Sequence, residues 1–299
     1  MTPAQYCRRK TLESHSSFFL PFFFLPPPRR AAMYAVYAFC REVDDIVDSG
    51  LPVAEAAARL AAWQQALQQG FAGRPTHPIT MELARHQQLF ALPTQPFHDI
   101  LAGMAMDLQQ NRYQTQDDLA LYCYRVAVTV GLIAVRIFLH GQEPDGWEEE
   151  RERLFAHRLG MALQLTNIVR DVAEDARMGR VYLPRQWLLE AGVVEEDIVQ
   201  QRWTPQLGSV LQRLAELAEQ HYQEADRLLV SPMERRLLMP AVFMGVIYRT
   251  CLHRLRRHGF HCFGGGQKLS LPDKLWILWQ AWRQEQARQR VAWVRPGHR

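Results

Sequence analysis

Leu159-Gly-Met-Ala-Leu-Gln164-Leu-Thr-Asn167-Ile-Val-Arg170-Asp171-Val-Ala-Glu-Asp175 reads as a helix that is apolar on almost every side. Met161, Leu165, Ile168 and Val172 flank one side of a single polar stripe and Leu159 and Leu163 the other. Ala162, Thr166, Val169 and Ala173 lie behind it. At about 100° per residue, Gln164, Asn167, Asp171 and Asp175 fall within roughly 80° of one another. A helix apolar nearly all round is buried, so its line of carboxylates and amides must face a polar cavity or metal ions.

A second stretch carries the same device. Tyr37-Ala-Phe-Cys-Arg41-Glu-Val-Asp44-Asp45-Ile-Val-Asp48 places Tyr37, Arg41, Asp44 and Asp48 within roughly 60° on one helix face. Alone, that stripe reads as a solvated surface, because Val36, Phe39, Cys40, Val43 and Val47 form an ordinary apolar side opposite it. Like charges at i and i+4 repel, so a pair placed twice asks for a compensating cation. Magnesium suits it: a hard ion held by one or two carboxylates, with substrate phosphate and water completing the shell. Two facing stripes would clamp a diphosphate through such ions, and the arginines would add direct contacts to phosphate oxygen.

Helical periodicity continues outward in both directions. Helices are predicted over 29–48, 53–69, 78–90, 95–110, 116–139, 147–177, 184–191, 205–228, 232–258 and 271–292, with breaks such as Gly50-Leu-Pro52, Gly141-Gln-Glu-Pro144 and Gly264-Gly-Gly266. No run of alternating β-branched residues competes, so the fold class is all-α. No low-complexity linker divides residues 1–299, and the two stripes need each other in space. A single-domain bundle around a central cavity is expected, since such sites are built from side chains on facing helices.

Composition narrows the function. At 299 residues and 48% hydrophobic the chain can bury a large core. Five scattered cysteines without a CxxC pair disfavour disulfides and zinc, and fit a reducing cytoplasm. The net charge is only +4, and no nucleic-acid partner is expected. Phe18 to Leu25 is apolar but broken by Pro21 and far shorter than the ~20 residues a bilayer requires. It is read as a segment within 1–28 that lines the interior, with a membrane-facing lip as the alternative. The basic tail 283–299, carrying Trp293 and preceded by Trp282, reads as a solvated terminal helix, with peripheral contact to an anionic membrane as the alternative. Gly264-Gly-Gly266 lacks phosphate-loop spacing, which leaves no sign of a nicotinamide site, and the histidines show no HExxH pattern. In Leu121 to Gly131, Ala127 and Gly131 form a small-residue pair. It implies close helix packing or a groove for a long hydrocarbon with Tyr122 at its polar end.

At this point the residues resemble a known family. The two stripes, the second continuing through Arg180-Val-Tyr182-Leu-Pro184, look like the two aspartate-rich signatures of the squalene and phytoene synthases. The likeness runs from Ser14-His-Ser16-Ser17-Phe18 through Tyr122-Cys-Tyr-Arg-Val-Ala-Val-Thr-Val-Gly131 to Ile247-Tyr248. It implies the type I isoprenoid synthase fold and a head-to-head (1′-1) condensation of two allylic diphosphates with two or three Mg2+ ions. By that resemblance Asp44, Asp48, Asn167, Asp171 and Asp175 hold metal, and Arg41, Arg170 and Lys268 contact diphosphate. Gln164 completes the polar wall, while Tyr37, Tyr122 and Tyr248 sit near the reacting carbons. Ser16, Ser17, Phe18, Ala127, Val130 and Gly131 would bind substrate along the prenyl channels.

Within the family, Phe24-Leu-Pro-Pro, Gly103-Met-Ala-Met-Asp107-Leu and Ile247-Tyr-Arg look most like the bacterial presqualene diphosphate synthases of the hopanoid route. That branch commonly carries an acidic residue at Ala105 and an arginine at Gln267-Lys268. The implied substrate is two molecules of farnesyl diphosphate, with a separate enzyme or an NADPH-dependent second step converting the product onward. Phytoene or dehydrosqualene synthesis is the runner-up. Asp44-Asp45-Ile-Val-Asp48 also satisfies the DDxxD of elongating prenyltransferases, but the NxxRDxxxD stripe argues against that reading. A non-catalytic relative would be expected to have lost part of a stripe.

Overall fold

The computed structural model describes residues 1–14, 17–263 and 269–293; of Ser17, Phe18 and residues 289–293 it describes the backbone alone. Among the described residues there are fourteen α-helices, and the nearest approach to a sheet is one isolated bridge between Arg112 and Val181.

Two helices set the frame. Helix α1 (Pro3–Glu13) leads into a 3-10 helix, Ser17–Phe24, and then α2 (Pro27–Asp48), which carries the first stripe. Helices α3 (Val53–Phe71), α4 (Pro78–Phe90) and α5 (Gln95–Gln109) follow. The second stripe lies on α8 (Glu149–Arg177), reached through α6 (Gln116–Cys123) and α7 (Thr129–Leu139). After α9 (Arg185–Ala191) and α10 (Glu195–Val199) come α11 (Pro205–Arg227), α12 (Pro232–Leu237), α13 (Met239–Arg257) and α14 (Leu271–Trp293). Helix α2 packs on α1, α4, α5 and α7, and α8 packs on α7, α11 and α13. One core runs through the bundle, from Phe39 and Phe97 to Leu165, Leu214 and Phe243. Each such side chain contributes about 1.5–3 kcal/mol through its burial.

The differences from the expected elements have local causes. Helix α1 was not anticipated, because Arg8-Arg9-Lys10 masks its narrow apolar face of Cys7 and Thr11. Its start is fixed by a reciprocal cap between Thr2 and Gln5, with Pro3 in the first turn. Helix α10, a five-residue turn, was also not anticipated. The predicted helix 232–258 is two helices: Pro240 lies in the first turn of α13, where its missing N–H costs nothing. The segment Phe18 to Leu25 is only partly interior, since Phe22 and Leu25 are buried whereas Phe23 and Phe24 are exposed.

The predicted helix 116–139 is continuous in path but contains a π turn, Tyr124–Val128. It is the one described stretch long and apolar enough to cross a bilayer. Here its apolar faces are turned to the core and to a chamber inside the bundle. The π turn is gripped by two glycines. A Cβ at Gly103 would fall 2.7 Å from Val126 Cγ1, and one at Gly160 would fall 2.8 Å from Val128 Cα.

Candidate active site

Between α2 and α8 lies a polar mouth. Asp44 and Asp48 face it from α2, and Asp171, Glu174 and Asp175 from α8. Asp107 of α5 adds a sixth acidic side chain, against three arginines, Arg41, Arg170 and Arg180. Each arginine holds a carboxylate of a stripe. Arg41 donates to Asp44 at 3.0 Å and also pairs with Asp45 at 2.5 Å. Arg170 grips both oxygens of Asp171, at 2.8 and 2.5 Å, and its guanidinium lies 5.6 Å from the Tyr248 ring centre. Arg180 reaches Asp48 at 2.8 Å.

The surplus of acid shows in the protonation of the site. Burial, then the neighbouring Asp171, pushes the Asp175 carboxyl up to about 8. Burial, then Asp48, raises Asp44 to about 6. Asp107 is likewise raised, chiefly by burial, although Tyr182 and Tyr122 both donate to it, at 2.7 and 2.9 Å.

Below the mouth an apolar chamber opens, walled by Val126, Ala127, Val130 and Gly131 from the π turn and α7, and by Leu159, Gly160 and Leu163 from α8. Ala241 and Met244 of α13 close a third side. Gly131 serves both readings of its sequence: it lines the chamber and it packs closely, a Cβ there falling 3.1 Å from the Ala156 carbonyl oxygen. Six residues line mouth and chamber alike, namely Tyr37, Cys40, Val126, Gln164, Asn167 and Tyr248. They form the passage between the two.

The predicted residues are therefore distributed as follows. Tyr37, Arg41, Asp44, Asp48, Gln164, Asn167, Arg170, Asp171, Asp175, Tyr122 and Tyr248 share the mouth, and Ala127, Val130 and Gly131 line the chamber. Ser16 and Lys268 lie outside the described residues, as do the side chains of Ser17 and Phe18. Ala105, on α5, packs against the core. Asp45, beside the stripe, divides its two oxygens between Arg41, at 2.5 Å, and Lys10 of α1, at 2.9 Å.

Sequence reasoning missed Asp107, Tyr182 and Arg180 as parts of the site. Tyr122 and Tyr182 donate to the two oxygens of Asp107, lie 3.2 Å apart at their hydroxyls, and stack at 4.9 Å. Tyr113 completes a triangle of rings, 5.7 Å from Tyr182 and 5.4 Å from Tyr122. The signal available was their presence inside the quoted motifs, with no periodicity to join them.

The donor set fits magnesium. All the carboxylates are hard oxygen ligands, and Asn167 Oδ1 is buried yet accepts no hydrogen bond from the protein, while its amide nitrogen donates to Gln164 at 3.3 Å. Among the described residues no three carboxylate, imidazole or thiol groups already converge on one point. The donors stand as two facing pairs, each tied to an arginine.

A model of the squalene/phytoene synthase family matches residues 12–274. The chain belongs to this family. As a squalene/phytoene synthase family member it is an enzyme of the prenyltransferase kind, and the family's chemistry is head-to-head condensation of prenyl diphosphates. It is 35% identical over 270 residues to a phytoene synthase of Arthrospira platensis, spanning 87% of this chain and 85% of that protein. To a 15-cis-phytoene synthase of Synechocystis sp. it is 33% identical over 293 residues, 94% of this chain and 85% of the other. Among solved structures it is similar to the squalene synthase HpnC from Alicyclobacillus acidocaldarius (TM-score 0.75, 30% identity, 86% of this chain and 94% of that one). A dehydrosqualene synthase in complex with a ligand aligns over 97% of both chains, with TM-score 0.81 and 29% identity. The fold is the all-helical isoprenoid synthase fold.

Proposed function

We propose that this enzyme joins two molecules of farnesyl diphosphate head to head to give presqualene diphosphate. The carrying observation is the depth of the chamber. Its lining extends along α2 as far as Met33 and along α7 as far as Phe138, both buried. At about 1.5 Å per residue, Met33 lies only ~16 Å along α2 from Asp44. An allylic chain whose diphosphate is held in the mouth covers that span with about three isoprene units, which suits a C15 chain better than an extended C20 chain.

Charge supports a metal-dependent reading. Six acidic side chains against three arginines repel a diphosphate, so the anion enters only with cations. Asp44, Asp48, Asn167, Asp171 and Asp175 would hold Mg2+, which supplies positive charge where the departing diphosphate develops negative charge. Arg41 and Arg170 add guanidinium contacts to phosphate oxygen. The apolar wall excludes water from the carbon that loses its diphosphate. As its C1–O bond breaks, that carbon bonds to the double bond of the second molecule. Loss of a proton then closes the cyclopropane.

A specific observation favours a second reading. The curated relatives quoted above are named phytoene synthases, and by that measure condensation of two C20 geranylgeranyl diphosphates stands ahead of the C15 reaction. Incubation of purified protein with Mg2+ and equimolar farnesyl and geranylgeranyl diphosphates, with and without NADPH, separates them by mass spectrometry. A C30 diphosphate in both samples supports the proposal, and squalene formed only with NADPH would add the second half-reaction. A C40 product alone overturns the C15 reading and leaves the condensation standing.

A further inference from the structure

The geometry of α14 points to a docking surface for an anionic lipid bilayer, formed by one face of that helix. Leu271, Leu275, Trp279 and Trp282 fall within about 80° of one another on the helical wheel. They are 55%, 50%, 44% and 41% exposed, far more than core residues of their size. Trp276, 56% exposed, stacks on Trp279 at 4.8 Å and widens the stripe. The adjoining face holds α14 to the bundle: Leu278, Ala281 and Glu285 are buried where the helix packs on α12 and α13, and the exposed stripe begins at the edge of that contact. Contiguous exposed indoles mark an interaction site, and tryptophan is the residue that settles at a membrane–water boundary.

Charge selects the occupant. Residues 271–299 contain six Lys/Arg and two Asp/Glu, while residues 1–270 hold twenty-nine of each, so the whole net charge of +4 resides in this segment. Both acids are engaged away from the stripe. Glu285 is buried and bound by Arg235 at 3.1 Å and Arg288 at 2.6 Å. Asp273 caps the helix start at Ser270 and pairs with Arg254 at 3.3 Å. Arg283 is exposed and lies 4.9 Å over the Trp279 ring, a cation at the edge of the aromatic stripe. An apolar, tryptophan-rich face with Arg283 at its edge, in a segment whose net charge is +4, matches an anionic bilayer better than it matches a second, equally basic copy of the same face. Bound in this way, α14 lies on α13, whose Ala241, Met244 and Tyr248 wall the chamber that takes the hydrocarbon. The inference does not depend on the substrate's chain length.

Flotation of the purified full chain with phosphatidylcholine vesicles, with and without phosphatidylglycerol, tests it. Flotation is expected with the anionic vesicles and is expected to fall as salt is raised. Trp279→Ala/Trp282→Ala should weaken it about tenfold or more, with turnover in detergent micelles and the melting curve unchanged. Arg283→Glu, which keeps the indoles, should weaken it as well. Absence of flotation, or equal flotation of the double variant, overturns the proposal. So does a dimer in solution that the double variant converts to a monomer, because a second copy then covers the face.

Discussion

Gly160→Ala tests the architecture of the chamber directly. The added Cβ would lie 2.8 Å from Val128 Cα, 3.0 Å from Val128 N and 3.2 Å from the Ala127 carbonyl carbon. All three are backbone atoms, so no rotamer change relieves them. Either α8 or the π turn must move by several tenths of an ångström, against the buried Ala156, Ala162 and Leu165 on one side and Val128 and Ile133 on the other. In a helix interior alanine is favoured over glycine by about 1 kcal/mol. Overpacking a closed core costs about 1–3 kcal/mol, and backbone against backbone belongs at the upper end. The net loss is about 1–2 kcal/mol, or roughly 2–4 °C in Tm for a chain of this size. The effect on turnover is larger than that on stability. The turn carries Val126 and Ala127, which line the chamber, and displacing a substrate wall by a fraction of an ångström lowers kcat/KM about tenfold or more. Gly131→Ala, whose nearest contact is one carbonyl oxygen at 3.1 Å, should cost less on both counts. Gly141→Ala enters open space and should leave turnover unchanged, losing only about 1 kcal/mol to its φ of +71°. Thermal melts by circular dichroism and steady-state release of diphosphate measure both effects. A Gly160→Ala protein with wild-type Tm and kcat/KM would refute the close approach as the device that holds the π turn.

Asp171→Asn should abolish turnover while the helical spectrum is kept, because one stripe loses its central carboxylate and Arg170 its bidentate partner; unchanged turnover at saturating Mg2+ would sink the two-stripe site. Chelation by EDTA should stop the reaction and added Mg2+ restore it, and activity that survives chelation would remove the metal. Asp107→Asn should lower stability by about 1–2 kcal/mol, since a carboxylate that accepts two tyrosine hydroxyls becomes an amide with one acceptor oxygen; an unchanged Tm would contradict that geometry. In the metal-free protein Asp175 keeps its proton up to about 8, whereas the unfolded chain loses it near ~4, so the folded form binds more protons and its stability falls as pH rises through that range. The buried His86 and His221, lowered to about 4, act oppositely below about pH 7. The decisive window is therefore pH 7 to 8.5, where Tm in EDTA should fall; a rise there would falsify the assignment.

What was legible in the sequence is what a helical period can encode. The stripes on α2 and α8 were readable because residues three and four apart share a face, and proline and glycine marked most helix ends. The Asp107–Tyr122–Tyr182 network was not readable, because its members come from α5, α6 and the loop after α8, and only packing joins them. The π turn leaves no periodic trace either, since it shifts the faces of α7 relative to α6 within one unbroken apolar run. Its nearest signature is a pair of glycines on other helices, Gly103 and Gly160, whose meaning depends on knowing what they touch. Asp45 shows the converse. The motif placed it beside the site, but its two oxygens are taken by Arg41 and by Lys10 of α1, and it does not line the mouth.

The passage between mouth and chamber constrains the chemistry more than either space does alone. A carbon losing diphosphate held above, with its chain held below, must lie beside Tyr37, Cys40, Gln164, Asn167 and Tyr248. Burial, then Asp44, raises the Cys40 thiol to about 12, so it stays protonated and is a poor nucleophile. Tyr248 is raised by burial and stays a neutral phenol. The two amides are neutral as well. The carboxylates begin one helical turn higher, at Asp44 and Asp171, where arginine already engages them. A developing allylic cation in the passage therefore meets aromatic faces and amide oxygens and no anionic side chain that could capture it. The double bond of the second chain is the nucleophile left within reach, which is the condition a head-to-head coupling requires.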